Sequence, residues 1–278
     1  MSTPIDKIGV FDSGLGGLTV LKQLLASHPD RSYIYFGDTA HVPYGNREAE
    51  DVIALVSEIS RHLVQEGCQA LIVACNTSSA LAMNALRTVV DVPVIGVIDP
   101  GSQEAASLTR VGKIAVMSTP LTARSGVYAE RIRFAAERIG ERVMPEVFEI
   151  GCPELVPIVE GGELHSEKTQ NVLSGYAEQL FELGVDTVIM GCTHYPILLP
   201  VLRPLLEDKI QVVDPATLIP RLLEGWERAA EPGRAEVVYQ VSGEPAAFEM
   251  RAERFLGQPV SASQVLLRPR FEPEPATP

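Results

Sequence analysis

The sequence of 278 residues has little of several features that mark whole classes of protein. It has four cysteines, no long hydrophobic run and no cluster of basic residues. Its longest apolar stretches, such as "LIVAC" (71–75) and "VIGVI" (94–98), fall far short of the roughly 18 residues that cross a bilayer. The first residues place Asp6 where a signal peptide would be basic. We therefore expect a soluble, cytoplasmic protein with no membrane partner.

The charge and the cysteines exclude further classes. The formal net charge is −13, whereas proteins that neutralise nucleic-acid phosphates need clustered Lys and Arg, so no nucleic acid is expected as a partner. Four cysteines are too few for a disulfide scaffold in a chain of this length. Their spacing matches no C-x₂-C or other zinc pattern, so free thiols in a reducing compartment and no metal are predicted.

Apolar, β-branched runs are present in number, and they alternate with segments of helical spacing. Near-continuous apolar runs are typical of parallel strands buried on both faces. With 46% hydrophobic residues, the chain can fill one large domain or two of ordinary size. The alternation predicts a doubly wound α/β fold. Predicted strands cover 7–11, 32–37, 70–75, 92–98, 113–118, 186–192, 210–214 and 236–241; predicted helices cover 18–26, 48–66, 77–88, 122–139, 166–183, 216–229 and 245–256.

A weak internal repeat divides the chain into two similar halves. Gly67 precedes Cys75 by eight residues, and Gly184 precedes Cys192 by the same interval. The motifs "KIGV" (7–10) and "KIAV" (113–116) open corresponding first strands. Because ligands bind beyond the carboxyl ends of parallel strands, two facing lobes would place both thiols in one cleft.

The residues around the two cysteines suit acid–base chemistry. Cys75 stands before Asn76 and Thr77 at a predicted strand-to-helix junction, where free backbone N–H groups favour a thiolate. Cys192 stands two residues before His194, which can act as a proton partner. Cys68 and Cys152 are interpreted as small buried hydrophobic residues.

Two polar loops follow other strands. "FDSGLGGLTV" (11–20) places Asp12 and Ser13 before a glycine-rich turn that matches neither common nucleotide motif. "FGDTAHVPYGNRE" (36–48) supplies a second turn. Either loop can be an ordinary capped turn. Together with the thiols, however, their hydroxyls and amides suit a pocket for a small zwitterion, where Asp12 meets an ammonium group.

Two thiols in one cleft favour inversion at a carbon, since one thiol removes a proton and the other delivers one to the opposite face. Other functions stay open on the residues alone. A cysteine-dependent amidohydrolase needs only one thiol with a histidine and an oxyanion hole. A non-enzymatic binding protein with two lobes needs neither thiol.

Several motifs together resemble the glutamate racemases of the aspartate/glutamate racemase superfamily. The resemblance implies an enzyme without a cofactor that interconverts L- and D-glutamate and supplies D-glutamate for peptidoglycan. Aspartate is a near alternative as substrate, and a homodimer is expected. The motifs that carry the resemblance are "IGVFDSGLGGLTV", "YFGDTAHVPYG", "ACNTSSA", "GCPELVPIVE", "GCTHYP" and "SGEPAAF".

The resemblance also implies a role for individual residues. In this assignment Cys75 acts on the D-enantiomer and Cys192 on the L-enantiomer. Glu160 enters only here, because the sequence around it reads as a solvated helix end. The implied catalytic residues are Cys75, Cys192, Asp12, Glu160 and His194; the implied substrate-binding residues are Asp12, Ser13, Pro43, Tyr44, Gly45, Asn76, Thr77, Thr193 and His194.

The expected architecture has two doubly wound, mainly parallel-sheet domains related by pseudo-twofold symmetry, with the active site in the cleft between them. Residues 1–98 plus 214–278 are predicted to form the first domain and 99–213 the second. The Pro-rich tail, 268–278, is predicted to be disordered.

Overall fold

The computed structural model describes residues 4–140, 144–228 and 235–267, which form two parallel β-sheets flanked by helices. The predicted tail at 268–278 lies outside these ranges. All strand pairs recorded within the two sheets are parallel. The strands are β1 Lys7–Asp12, β2 Ser32–Gly37, β3 Ala70–Val73, β4 Val94–Gly96, β5 Lys113–Ser118, β6 Glu146–Gly151, β7 Thr187–Gly191, β8 Gln211–Val213, β9 Val237–Val241 and β10 Ala262–Gln264.

Helices follow most of these strands, as the doubly wound prediction requires. Short 3-10 helices occupy Tyr44–Asn46, Tyr195–Leu198, Pro215–Leu218 and Pro220–Leu223. The α-helices are α1 Leu18–Ser27, α2 Ala49–Gln65, α3 Asn76–Leu81, α4 Met83–Val89, α5 Ile98–Leu108, α6 Pro120–Ser125, α7 Val127–Ile139, α8 Leu155–Gly161, α9 Glu167–Leu183, α10 Leu199–Leu205 and α11 Pro245–Leu256.

The strand order shows the internal repeat in three dimensions. One sheet has the order β10-β9-β2-β1-β3-β4 and the other has the order β6-β5-β7-β8. In each sheet the opening strand, β1 or β5, lies between the second and third strands of its half, and the fourth strand lies beyond the third. β3 and β7, the strands that lead into Cys75 and Cys192, are therefore equivalent. The predicted α/β fold with two mainly parallel sheets is confirmed.

The equivalent strands are buried throughout and start after equivalent glycines. Every residue of β3 and of β7 is buried, as expected of strands covered by helices on both faces. Gly67, after α2, has a φ of +87°, and Gly184, after α9, has a φ of +66°. This left-handed conformation is one that glycine adopts at little cost, and it ends each helix before the strand begins.

Several elements differ from the sequence prediction. The predicted helix at 216–229 is wrong: two 3-10 helices begin at Pro215 and Pro220 instead, because proline cannot donate a backbone N–H within a helix. The helix predicted at 122–139 is divided at Gly126, which has a φ of +68°. The prediction also missed β6 and gave no bounds for α8, although it interpreted Glu160 as a helix end.

Within the described ranges, no helix is long and apolar enough to span a bilayer. The domain boundaries near residues 98 and 213 stay a prediction. The six-stranded sheet takes its strands from the first part of the chain, β1 to β4, and from β9 and β10 near the C-terminus. The four-stranded sheet consists of β5 to β8, from the middle of the chain.

Candidate active site

A single cavity of about 510 Å³ collects the polar residues that follow the strands of both sheets. Cys75 comes from the sheet of β1 and Cys192 from the sheet of β5, and both line this cavity. The other predicted residues on its wall are Ser13, Pro43, Tyr44, Gly45, Asn76, Thr77, Glu160, Thr193 and His194.

Cys75 occupies the N-cap position of α3. The backbone N–H of Ser78 donates a hydrogen bond to its Sγ at 3.5 Å, and the thiol in turn donates to the Ser13 hydroxyl at 3.8 Å. Burial raises the pKa of the Cys75 thiol, and the nearby Asp12 carboxyl raises it further. The donated N–H and the neighbouring hydroxyls act in the opposite direction, so they would stabilise a thiolate once one forms.

Cys192 faces a different partner. Its Sγ lies 3.9 Å from Nδ1 of His194, and Nε2 of that histidine lies 3.1 Å from Oε1 of Glu160. Burial raises the pKa of Cys192 well above the usual value for a thiol. The hydrogen bond with His194 lowers the pKa of Glu160 despite partial burial, so the carboxylate is ionised and faces the imidazole. The three side chains form a chain from Glu160 to the sulfur.

Asp12 lies behind the cavity wall and is only 1% exposed. It accepts hydrogen bonds from the backbone N–H of Gly14 at 2.9 Å and from the hydroxyl of Thr193 at 3.2 Å. Burial raises the pKa of Asp12, although these donors and His194 oppose the rise. The bond to Thr193 ties the end of β1 to the loop after β7.

The glycine-rich turn explains how those two loops can approach so closely. A Cβ at Gly16 would lie 2.2 Å from Oγ1 of Thr193 and 2.5 Å from Nδ1 of His194. Such distances are far below van der Waals contact, so no side chain fits there. The motif predicted as a possible ligand loop thus provides room for the Thr193–His194 segment.

The loop at Pro43–Gly45 is held from behind by a buried carboxylate. The Tyr44 hydroxyl donates to Oδ2 of Asp38 at 2.5 Å, and the hydroxyl of Ser242, after β9, donates to Oδ1 at 2.6 Å. Asp38 is itself buried. This anchoring fixes the backbone of Tyr44 and Gly45 on the cavity wall.

Hydrogen bonds also fix the two residues that follow Cys75. Tyr128, on α7, donates to Oδ1 of Asn76 at 2.6 Å. The Thr77 hydroxyl lies 3.1 Å from that of Thr119 and 3.0 Å from that of Thr122. These contacts connect the start of α3, which follows a strand of one sheet, with residues that follow β5 of the other sheet. Residues of the second half of the chain thus fix the side chains of Asn76 and Thr77.

Sequence reasoning missed four notable cavity residues: Thr119, Cys152, Val156 and Arg251. The internal repeat contained a signal for Thr119, since it follows β5 as Ser13 follows β1. Cys152 follows β6, a strand that the prediction did not include. Its thiol lies 3.5 Å from the carbonyl oxygen of Ile150, and burial raises its pKa to about 12. Arg251 comes from α11, and no local motif marked it.

The described residues bring together no group of three or more His, Cys, Asp and Glu side chains that could hold a metal ion. The basic groups recorded on the cavity wall are His194 and Arg251, and Glu160 lies close to both. The wall otherwise combines hydroxyls, thiols, two amides and apolar Val and Pro side chains. Such a set can bind carboxylates through hydrogen bonds.

Comparisons with known proteins agree with this architecture. The sequence model of the family described as Asp/Glu/hydantoin racemase matches residues 12–223. A glutamate racemase from Geobacter metallireducens is 41% identical over 263 residues, which cover 91% of this chain and 94% of the relative. The resemblance found in the sequence motifs, and with it the prediction of an enzyme, is confirmed.

Solved structures are similar over almost the whole chain. A glutamate racemase isoform from Bacillus anthracis has a TM-score of 0.85 and 32% identity, covering 94% of this chain and 97% of its own. A glutamate racemase from Francisella tularensis, solved in complex with D-glutamate, has a TM-score of 0.84 and 28% identity over 96% and 98% of the two chains. The chain belongs to the Asp/Glu/hydantoin racemase family of enzymes.

Proposed function

We propose that this enzyme interconverts L- and D-glutamate by a two-base mechanism in which Cys75 and Cys192 exchange roles. The observation that carries the proposal is that the two thiols follow equivalent strands of different sheets and line one cavity. A proton can then leave the substrate α-carbon towards one thiol while the other thiol protonates the opposite face. Reversal of the reaction needs only the reversal of these roles.

Each turnover begins with one thiolate and one thiol. In the D-to-L direction the Cys75 thiolate takes the α-proton and becomes a thiol, and the Cys192 thiol donates its proton and becomes a thiolate. Burial raises the pKa of both thiols in the free enzyme. The positively charged ammonium group of the substrate favours a thiolate beside it, so substrate binding helps to prepare the base.

Different groups assist the two thiols. The Ser78 N–H lies on the Cys75 side, whereas His194 and Glu160 lie on the Cys192 side. Asp12 lies near both thiols and raises the pKa of each, which favours the proton-donating form. An ionised Glu160 can only accept a hydrogen bond, so it makes Nε2 of His194 the donor and leaves Nδ1 facing the sulfur of Cys192. Catalysis without a cofactor would depend on such placement and on donors aimed at the substrate carboxylate, since charge develops there as the α-proton leaves.

The substrate-binding role falls to the polar wall. Ser13, Asn76, Thr77 and Thr193 present hydroxyl and amide groups, and the Pro43–Gly45 loop presents backbone. Two carboxylates and one ammonium suit this set better than a phosphate, which would call for more cationic side chains. The relatives' names favour glutamate over aspartate. Kinetics on both amino acids would test this choice.

In the cell we propose that the product, D-glutamate, supplies peptidoglycan synthesis in the cytoplasm. We also propose that the chain forms a homodimer and that its two domains are 1–98 plus 214–278 and 99–213. Light scattering on the purified protein would test the dimer. Limited proteolysis would test the domain boundaries.

The decisive experiment is α-proton exchange in D₂O without added cofactor. L-Glutamate should become D-glutamate that carries deuterium at the α-carbon, as measured by NMR and chiral chromatography. An enzyme that leaves the α-proton in place would contradict the proposal. Cys75→Ser and Cys192→Ser should each abolish racemisation.

A cysteine hydrolase would behave differently. It would form a thioester on one cysteine, detectable by mass spectrometry, and would not need the second thiol. A binding protein would keep its affinity after both thiols were removed. Neither alternative accounts for two thiols at equivalent positions of one cavity.

A further inference from the structure

Helix α11, from the six-stranded sheet, contacts the end of α8, the helix that carries Glu160. The guanidinium of Arg254, on α11, donates hydrogen bonds to the backbone carbonyl oxygens of Val159 and Glu160, at 3.0 and 2.9 Å. These carbonyls belong to the last turn of α8, and that of Val159 also accepts the backbone N–H of Gly162 at 3.2 Å. A cation at this end also matches the negative pole of the helix.

The surrounding backbone leaves room for this guanidinium. Gly162 ends α8 with a φ of +77°, and a Cβ at this position would lie 2.7 Å from Nη2 of Arg254. The backbone conformation therefore favours glycine, and a larger residue would displace the Arg254 guanidinium. Arg251, one turn earlier on α11, places its guanidinium 3.9 Å from Oε2 of Glu160.

The same helix also contacts the histidine of the pair. The ring of Phe255 packs edge-on against the His194 ring, with centroids 5.5 Å apart and an interplanar angle of 87°. Phe255 is buried. Helix α11 therefore contacts Glu160 through two arginines and His194 through one aromatic ring.

These contacts connect parts of the chain that belong to different sheets. In the chain, helix α11 connects β9 to β10 of the six-stranded sheet. Glu160 and His194 instead follow β6 and β7 of the four-stranded sheet. Cys75, which follows β3, donates to the Ser13 hydroxyl and accepts the N–H of Ser78, and neither residue is on α11.

We propose that Arg254 is a positioning residue for the Glu160–His194 pair, and through it for Cys192 but not for Cys75. This inference rests on the proposed two-base function. Helix α8 has only seven residues, so the two bonds from Arg254 define the direction in which the Glu160 side chain leaves its last turn. Loss of these bonds shifts the carboxylate away from Nε2 of His194, and the Cys192 thiolate loses its support.

Full racemisation cannot test this asymmetry, because both thiols act in every turnover. Elimination from β-chloroglutamate can, since it needs one base. The base removes the α-proton, chloride leaves from the β-carbon, and the resulting enamine tautomerises and is hydrolysed by water to 2-oxoglutarate and ammonium. The Cys75→Ser and Cys192→Ser variants identify which enantiomer depends on which thiol, because each variant loses elimination from one of them.

The test compares Arg254→Met with the wild-type enzyme on the two enantiomers of one diastereomer of β-chloroglutamate. We expect elimination from the Cys192-dependent enantiomer to fall by about tenfold relative to the other, as misplacement of an acid–base group would cause. Glu253→Gln removes a charge from the neighbouring position of α11 and should leave the ratio of the two rates within about twofold of wild type. The ratio is measured on one preparation, so a loss of folded enzyme does not affect it.

An unchanged ratio in Arg254→Met, or an equal fall with both enantiomers, would overturn the positioning role. Failure of the proposed function looks different. In that case the wild-type enzyme itself would exchange no α-proton in D₂O and eliminate chloride from neither enantiomer.

Discussion

Nε2 of His194 lies 3.1 Å from Oε1 of Glu160, although 33 residues lie between the two in the chain. No sequence motif contains both residues. The contact joins the end of α8 to the loop after β7. It leaves Nδ1 of His194 facing Cys192, while Cys75 has hydroxyl and N–H partners instead. Equivalent strands thus end in two chemically different thiol environments.

Glu160→Gln should impair turnover while the fold is kept. The amide can still accept a hydrogen bond from Nε2 of His194 but carries no negative charge, so this bond weakens and we expect kcat/KM to fall by about tenfold to hundredfold. The fall must be equal in both directions, because the equilibrium constant between enantiomers is one. Steady-state racemisation measured from each enantiomer checks both points, and Glu154→Gln, at an exposed position outside the cavity wall, provides the control.

Cys152→Ala should leave racemisation within about threefold of wild type. Cys152 lines the same cavity as the two proposed bases, yet its thiol lies by the carbonyl oxygen of Ile150, and burial raises its pKa to about 12. Such a thiol remains protonated at neutral pH and acts as a small buried group. Loss of activity as complete as in Cys75→Ser would show that the site uses a third cysteine.

Gly16→Ala should disturb the active site far more than a glycine substitution elsewhere. The new Cβ would overlap Oγ1 of Thr193 and Nδ1 of His194, and relief of such overpacking typically costs about 1–3 kcal/mol. We expect a lower melting temperature and at least about tenfold lower kcat/KM.

Gly175→Ala is the matched control for that prediction. Gly175 lies within α9 with open space around its Cα, so alanine should stabilise the helix by about 0.5–1 kcal/mol. Equal effects of the two substitutions would contradict the close packing inferred at Gly16. Thermal unfolding and kinetics on the two variants give the answer.

Asp214→Asn should change how stability depends on pH. Burial raises the pKa of Asp214 from 3.8 to about 6, so the folded chain holds this proton more tightly than the unfolded chain does. The associated stability is complete below the ordinary pKa and is lost as the pH rises through about 6. Asparagine removes this loss and can still accept the backbone N–H of Ala216.

We therefore expect the free energy of unfolding of Asp214→Asn, relative to wild type, to increase by about 2 kcal/mol between pH 4.5 and pH 7.5. Urea denaturation at pH 4.5 and 7.5 measures the change. Asp208→Asn, at an exposed position, is the control with the same change of charge and should show no comparable dependence. A flat difference for both variants would mean that Asp214 titrates normally in the folded chain.

The sequence contained enough to predict the α/β class and the meeting of two thiols. Buried parallel strands need apolar residues on both faces, so β3 and β7 were visible as apolar runs, and a cysteine follows each strand. The prediction was poorer where proline and glycine interrupt the pattern, as for the 3-10 helices at Pro215 and Pro220. There a local backbone constraint outweighs periodicity.

By itself, the sequence determined which residues can do acid–base chemistry and that they recur at equivalent strand ends. Only the tertiary structure decided what surrounds each of them. His194, which faces Cys192, contacts Glu160 on α8. Helix α11, which belongs to the other sheet, contacts α8 through Arg254. The pKa of a thiol depends on burial and on groups a few ångströms away, and a folded chain can bring those groups from any distance along the sequence.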